Sequence, residues 1–464
     1  MKTLIAILNI IIALPLVATA QHELQGHWKG SINVQGTKLV IITDFSCANN
    51  SLSGTIDIPQ QGAQDIRLED ITITRSDSVN FSFFAGMSTV EFRGHLKNDT
   101  TITGTFHQSG QQFPFELFKK LSANTTTRKS TSSPSYNQED IIIKNDSVEI
   151  GGTLTWPMDL QTNKLVIIIS GSGAQNRDGE LSITDFKPYQ SLADSLTTNG
   201  IATFRYDDRG IGQSGGNFSE TSLNMHATDV KTIINYFRRD NTKSFSEIIL
   251  LGHSQGGIVA GKVAAENSSV DKLILLASTG RTMQEILRFQ ARQAFSRANI
   301  DSSLITEEID AREKLMEAVL KDQNMEEARK NYTNKFKKLQ LSIGLDSSQA
   351  ETLANRQAHR LLNAYQSPQL KSFLRYNPTT DLIKLNIPVL VLFGGKDMQV
   401  TEQMNRPPIT SALDSAETTY DMKVFPEANH LFQNAKTGSV NEYATLEPEF
   451  VDGLIQSISK WIKK

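Results

Sequence analysis

The stretch Ile248-Ile-Leu-Leu-Gly-His-Ser-Gln-Gly-Gly-Ile-Val-Ala-Gly261 decides the fold. Its first four residues are apolar without alternation, as a strand buried on both faces requires. Across 256–266 small and apolar residues continue at helical spacing. The junction reads Gly252-x-Ser254-x-Gly256. That spacing recurs by chance in many sequences, so its context carries the meaning. A tight strand-to-helix turn needs small neighbours around the serine, and it presents the hydroxyl at the strand's C-terminal end. Ser254 is therefore a candidate nucleophile rather than an N-cap in an incidental glycine-rich loop.

The flanking sequence repeats the same alternation. Buried strands are predicted at 164–170, 201–206, 247–252, 272–277 and 388–393, and helices at 186–199, 223–238 and 256–266. Runs that are apolar on both faces with helices between them predict an α/β class. Its sheet is mostly parallel and doubly wound, within a domain spanning 139–464. An insertion at about 281–375 interrupts it. Met283, Leu287, Ala291, Ala294 and Ala298 share a helical face, as do Ile305, Ile309, Met316 and Leu320. Ala354, Ala358, Leu361 and Tyr365 form a third such face, preceded by a Ser348-x-x-Glu351 capping box. These helices predict a cap.

The N-terminal part is different. Residues 1–20 have a positive start at Lys2, an apolar run and an Ala18-Thr-Ala20 cleavage pattern, so they predict a signal peptide. The run is too short for a stable membrane span, and the protein is expected to be exported, periplasmic or secreted. Residues 21–120 alternate apolar and polar side chains between turn signals such as Gln35-Gly36 and Ser109-Gly110. They predict a small all-β antiparallel domain, a sandwich or partly closed barrel. Such a barrel either holds a small apolar ligand or is filled by its own side chains. His22, His27, His95 and His107 are scattered along it without a catalytic pattern. Residues 121–138, rich in Ser and Thr, predict a linker.

Composition excludes other classes. The 464 residues suit two or three domains. With 47 Lys+Arg against 50 Asp+Glu, the near-neutral charge argues against nucleic acid as the main partner, which would want a basic face. Cys47 is the only cysteine, so no intrachain disulfide can form.

A hydroxyl is a poor nucleophile until an oriented base takes its proton. On such a sheet the acid follows the serine, and the histidine follows the acid. Downstream of Ser254 stand only His359 and His430. His359 falls in a cap helix; His430 lies in Phe425-Pro-Glu-Ala-Asn-His-Leu-Phe432, after a predicted strand at 419–425, and is the base. His253 is assigned to packing, because neighbours across a sharp turn point apart. Asp397, in Gly394-Gly-Lys-Asp397 at the carboxyl end of a strand, is the acid. Asp381 and Asp421 read as a helix cap and a strand-edge charge. Oxyanion donors are the amide of Gln255 and one from Ile169-Ser-Gly-Ser-Gly173, with Ser172 chosen and Gly173 the alternative. Asp208 and Arg209, in Tyr206-Asp-Asp-Arg209, read as braces beneath the site. No His-Glu-x-x-His or paired-cysteine pattern exists, so neither zinc nor another cofactor is expected.

Together these residues resemble the α/β-hydrolase superfamily over about 139–464. Ser170-Gly-Ser-Gly-Ala-Gln-Asn-Arg-Asp-Gly179, Asp208-Arg-Gly-Ile-Gly212 and Ser367-Pro368 through Tyr376-Asn-Pro378 look like exported bacterial esterases of the EstD-like group. The serine aminopeptidase and proline iminopeptidase families are similar too. The resemblance implies a Ser254–Asp397–His430 triad under a cap. Ser170 stands where many relatives have His before the oxyanion glycine, a departure that bears on the register of the second donor. The expected function is cleavage of small carboxylic esters through an acyl-enzyme. The same triad acting on short peptides is the alternative, and it needs a carboxylate for the substrate's ammonium. The cap's Glu307, Glu308, Asp310, Glu313 and Glu317 are spaced as solvated helix faces. A non-catalytic binder is the distant alternative.

Overall fold

Among the described residues the alternation in the first part produces nine strands: β1 (Gly26–Val34), β2 (Thr37–Ala48), β3 (Ser51–Ile58), β4 (Ala63–Arg67), β5 (Glu69–Ile73), β6 (Ser78–Phe84), β7 (Thr89–Asn98), β8 (Thr101–Gln108) and β9 (Gln111–Lys120). The computed structural model describes residues 24–464 except 35–36, 49–50, 59–62, 75–76, 85–88, 109–110, 121–135, 146–147, 160–161, 182–183, 185, 240–244 and 297–299. The expected signal peptide at 1–20, His22 and most of the expected linker lie outside the described residues. By its contacts the chain divides into two units, Met1–Thr131 and Ser132–Lys464.

All pairings in the first unit are antiparallel, in the order β4-β3-β2-β1-β9-β8-β7-β6-β5. The two ends of this sheet are one bent strand. Only Leu68 separates β4 from β5, and its N–H donates to Gly54 O of β3 at 2.9 Å. The sheet therefore closes on itself as a barrel, which removes its edges. Inside, Phe81 stacks on Phe92 with centroids 4.6 Å apart. Phe92 also meets Phe106 and Phe115 edge to face, at 5.2 and 5.1 Å. Each buried ring contributes about 1.5–3 kcal/mol. This packing supports the reading in which the barrel's own side chains fill it.

The second unit begins with β10 (Tyr136–Asn145), inside the segment expected as linker. Backbone pairing with β11 (Val148–Pro157), starting at Tyr136↔Pro157, holds this end rather than apolar side chains. Strands β12 (Lys164–Ile169), β13 (Ala202–Tyr206), β14 (Glu247–His253), β15 (Lys272–Leu276), β16 (Val389–Gly394) and β17 (Tyr420–Phe425) complete a sheet ordered β10-β11-β13-β12-β14-β15-β16-β17. From β13 to β17 every pairing is parallel. Helices α1 (Pro188–Thr198), α2 (Leu223–Arg239) and α3 (Gln255–Glu266) connect its first parallel strands. Helix α1 starts later than the predicted 186–199 because Pro188, with its fixed φ, opens it.

Among its described residues the insertion holds five helices: α4 (Met283–Ser296), α5 (Ser302–Lys321), α6 (Met325–Ser342), α7 (Ser347–Gln366) and α8 (Pro368–Leu374). Leu315, Met316, Val319, Tyr332, Ala354 and Ala358 form their common core. The capping box of α7 is Asp346 with Gln349, not Ser348 with Glu351. The Asp346 carboxylate accepts from Ser348 N and Gln349 N, whereas Glu351 is taken by Lys337 at 2.8 Å. Helices α9 (Thr379–Leu382), α10 (Glu402–Ser415) and α11 (Leu454–Lys463) finish the unit. Among the described residues no helix is long and apolar enough to cross a membrane.

Candidate active site

Strand β14 is buried almost throughout, and the chain turns sharply at its end. Ser254 sits there at φ 53 and ψ −120. A non-glycine residue in this region carries strain on the order of 1–3 kcal/mol, which the surroundings must hold. The glycines permit it. A Cβ at Gly256 would fall 2.2 Å from Ser170 O, and one at Gly252 would fall 2.4 Å from Gly256 O. Ser254 N–H donates to Leu276 O at 2.9 Å, which ties the turn to the neighbouring strand.

Asp397 follows β16 in a tight turn closed by its own N–H on Gly394 O at 3.2 Å. Its Oδ1 accepts from Gln399 N at 2.8 Å and Val400 N at 2.9 Å. Its Oδ2 lies 2.7 Å from His430 Nδ1. Both side chains are buried. The loop bearing His430 is built by Asn429, whose Oδ1 accepts from Leu431 N and Gln433 N, each at 2.9 Å. With a carboxylate accepting at Nδ1, that nitrogen carries a proton, and in the neutral ring the lone pair is then on Nε2.

Ser254 and His430 line one cavity of about 210 Å³. Ser172 lines it as well, with Tyr189, Leu431 and Tyr443 among its other walls. The amide of Gln255 is the first of α3 and so has no partner within the helix. In the loop after β12, Gly171 N–H is already donated to Tyr189 Oη at 2.8 Å. The loop is held from below by Asp208, which accepts from Ser170 Oγ and Gln175 N, each at 2.9 Å. Asp208 and Arg209 are thus braces, but not of each other. Arg209 pairs with Asp229 through two 2.7 Å contacts, and Arg177 pairs with Asp207 at 2.5 Å.

The remaining candidates lie elsewhere. His359 is exposed and contacts Arg329 at 3.3 Å. Asp381 accepts from Tyr376 and from Lys384, and Asp421 pairs with Lys464 at 3.1 Å. His253 departs from expectation. Its ring lines the same cavity as Ser254, lies 3.0 Å from both Tyr189 Oη and His430 O, and stands 4.8 Å from the His430 ring centroid. Tyr189 and the pair Gln399–Tyr443 carried no sequence signal at all; Gln399 Nε2 donates to Tyr443 Oη at 3.1 Å. The cap reaches the site through Gln369 on α8, whose Nε2 is 3.4 Å from Gln255 Oε1. Among the described residues no group of three or more His, Cys, Asp or Glu is placed to hold a metal ion.

Residues 184–436, more than half of the chain, match the family described as serine aminopeptidase, S33. Esterase EstD of Thermotoga maritima is 22% identical over 337 residues, which are 71% of this chain and 68% of that protein. An uncharacterized 31.7 kDa protein of the traX-finO intergenic region of Escherichia coli is 22% identical over 280 residues, 59% of this chain and 84% of its own length. The structure of the Pyrococcus furiosus esterase Pf2001 aligns at a TM-score of 0.42 and 13% identity, covering 71% of this chain and 91% of that one.

Proposed function

Because the chain belongs to the serine aminopeptidase (S33) family, and so is a hydrolase, we propose that it cleaves carboxylic esters through an acyl-enzyme on Ser254. One observation carries this reading: the His430 Nδ1···Asp397 Oδ2 contact of 2.7 Å beside a cavity that Ser254 also lines. His430 Nε2 takes the hydroxyl proton while Ser254 Oγ attacks the carbonyl carbon. Asp397 stabilises the resulting imidazolium. The amides of Gln255 and Ser172 receive the oxyanion. His430 then protonates the leaving alkoxide, and a water molecule repeats the steps to release the acid.

Esters are favoured over N-terminal amino-acid substrates by charge. Among the described residues that line the cavity there is no Asp or Glu to pair with an ammonium group. Most of the cap's carboxylates are engaged by its own cations. Glu307 pairs with Lys335 and Lys338, Glu308 with Arg312, Glu313 with Arg288, and Glu317 with Arg375. Asp310 is exposed.

A panel of short- and long-chain acyl esters beside amino-acid arylamides tests the proposal. Esters should be hydrolysed and arylamides should not. Ser254→Ala should lower kcat on the order of 10⁶-fold and abolish labelling by a fluorophosphonate. Preferential turnover of arylamides would transfer the same machinery to peptides. Full activity in Ser254→Ala would remove the serine from the reaction.

A further inference from the structure

His253 and Tyr189 are buried polar side chains that the proposed chemistry leaves without a task. Their hydrogen bonds run in one direction only. Gly171 N–H can only donate, and the His430 carbonyl can only accept. With a neutral imidazole between them, every proton is thereby fixed. Gly171 N–H donates to Tyr189 Oη at 2.8 Å, Tyr189 Oη–H donates to His253 Nδ1 at 3.0 Å, and His253 Nε2–H donates to His430 O at 3.0 Å. The chain requires a neutral imidazole, and burial pushes His253 down to about 3. It also requires a protonated phenol, and burial raises Tyr189.

The two ends of this chain are functional backbone. Gly171 immediately precedes Ser172 in the oxyanion loop, and His430 is the base itself. The middle is the residue before the nucleophile. The approach is close enough that a Cβ at Gly171 would stand 3.1 Å from His253 Nδ1 and 3.4 Å from Ser254 Cβ. We propose that Tyr189 and His253 are positioning residues, forming a hydrogen-bonded strut that keeps the oxyanion loop and the His430 loop in register across Ser254. The proposal rests on the hydrolase reading of the site but not on which substrate it takes. Neither residue exchanges a proton with substrate; the strut acts by fixing where the oxyanion donor and the base stand when Ser254 attacks.

The test is the second-order rate of fluorophosphonate labelling at Ser254, which needs base and oxyanion donor whatever the natural substrate. Kinetics on the best ester of the panel accompany it. Tyr189→Phe removes one oxygen and should slow labelling and lower kcat by about 10–100-fold, with KM within about twofold. A boronic acid that mimics the tetrahedral state should bind the variant weaker by the same factor. His253→Leu should do likewise. His253→Gln, which retains an N–H toward His430 O, should recover part of the rate. The double variant Tyr189→Phe/His253→Leu should be no slower than its slower parent, because both changes break one chain. Far-ultraviolet circular dichroism and the final labelled fraction establish how much of each variant is folded, and rates are normalised to that fraction.

A lowered melting temperature with unchanged labelling rate and boronic acid affinity would overturn the strut and leave packing. Losses that multiply in the double variant would also overturn it. A wild-type protein that labels rapidly but cleaves no ester would overturn the substrate reading alone, with the strut still judged on labelling. A wild-type protein that does not label would overturn both.

Discussion

The barrel and the α/β unit bury their interiors by different means. Among the described residues of the barrel, the buried polar side chains are Thr43 and Ser82, and no charged group is buried. Its shape rests on aromatic area and a closed ladder of backbone hydrogen bonds. The α/β unit buries Arg205, Asp207, Asp208, His253, Asp397 and His430 at or just after the carboxyl ends of its parallel strands, and also Asp229 on α2, Glu308 in the cap and Asp381 on α9. A buried charge is costly unless it is partnered, and removing one partner leaves the other exposed to that full cost. Each of these groups accordingly has its own donor or acceptor. The difference separates an interior that needs only volume from one in which direction matters, and the proposed chemistry sits in the second.

The sharpest way to break this comparison is Asp397→Asn. The amide oxygen would still accept from Gln399 N and Val400 N, so the turn should hold. The amide nitrogen would face His430 Nδ1 and force the proton onto Nε2, which then cannot take one from Ser254. We expect kcat to fall on the order of 10⁴-fold with the melting temperature nearly unchanged. A loss under tenfold would mean that direction matters less here than the burial pattern implies.

Phe92→Ala probes the other side. Phe92 touches Phe81, Phe83, Phe106 and Phe115, and the truncation should cost about 3–5 kcal/mol of barrel stability. Thermal unfolding followed by circular dichroism should show the barrel melting earlier. Ester turnover at 25 °C, per folded molecule, should stay as it was. A fall in kcat with KM unchanged would show that the barrel supports catalysis, and the contrast between the two units would fail.

The same contrast explains what the sequence disclosed. Parallel strands such as Leu165 to Ile169 are apolar on both faces, and Gly252-x-Ser254-x-Gly256 must be small for steric reasons, so both are written locally. The order of Asp397 and His430 follows from the path of the chain over the sheet. Partner choice is not local. Arg209 stands beside Asp208 in sequence yet reaches Asp229 on α2, and Tyr189 finds His253 far along the chain. The expectation that His253 turns away from Ser254 holds for a regular strand. It fails here because Ser254, at φ 53, has left the β region where alternation applies. The capping box slipped by two residues because Asp346-x-x-Gln349 and Ser348-x-x-Glu351 overlap in the same six positions. The engagement of Glu351 by Lys337, which settled it, is a contact between helices.

The smallest effect we expect tests the cost of burial at a single group. Arg177 serves Asp207 and Arg209 serves Asp229, so Asp208 is left with a hydroxyl and an amide as donors. Burial pushes it up to about 7, against those two bonds and with the Asp207 and Asp229 charges adding to the rise. Its folded value therefore lies above its unfolded one near ~3.9. Between these values the folded protein binds more protons than the unfolded chain, so this contribution to stability is complete below about pH 4 and is lost as the pH rises through 7. His253 and His226 oppose it. Burial pushes them down to about 3 and about 4, so their contribution is present above pH ~6.5 and is lost on acidification. A melting temperature of the wild type alone mixes these slopes, but a difference between two proteins that share both histidines does not. In Asp208→Asn, the amide nitrogen donates to Ser170 Oγ and the oxygen accepts from Gln175 N, copying the protonated acid. The variant should match the wild type near pH 4 and melt progressively higher relative to it up to pH 8, by about 2–4 °C for each kcal/mol recovered. If the gap between the two proteins is the same at pH 5 and pH 8, Asp208 carries its charge in the fold at no cost, and burial is not what sets the groups around this sheet edge apart.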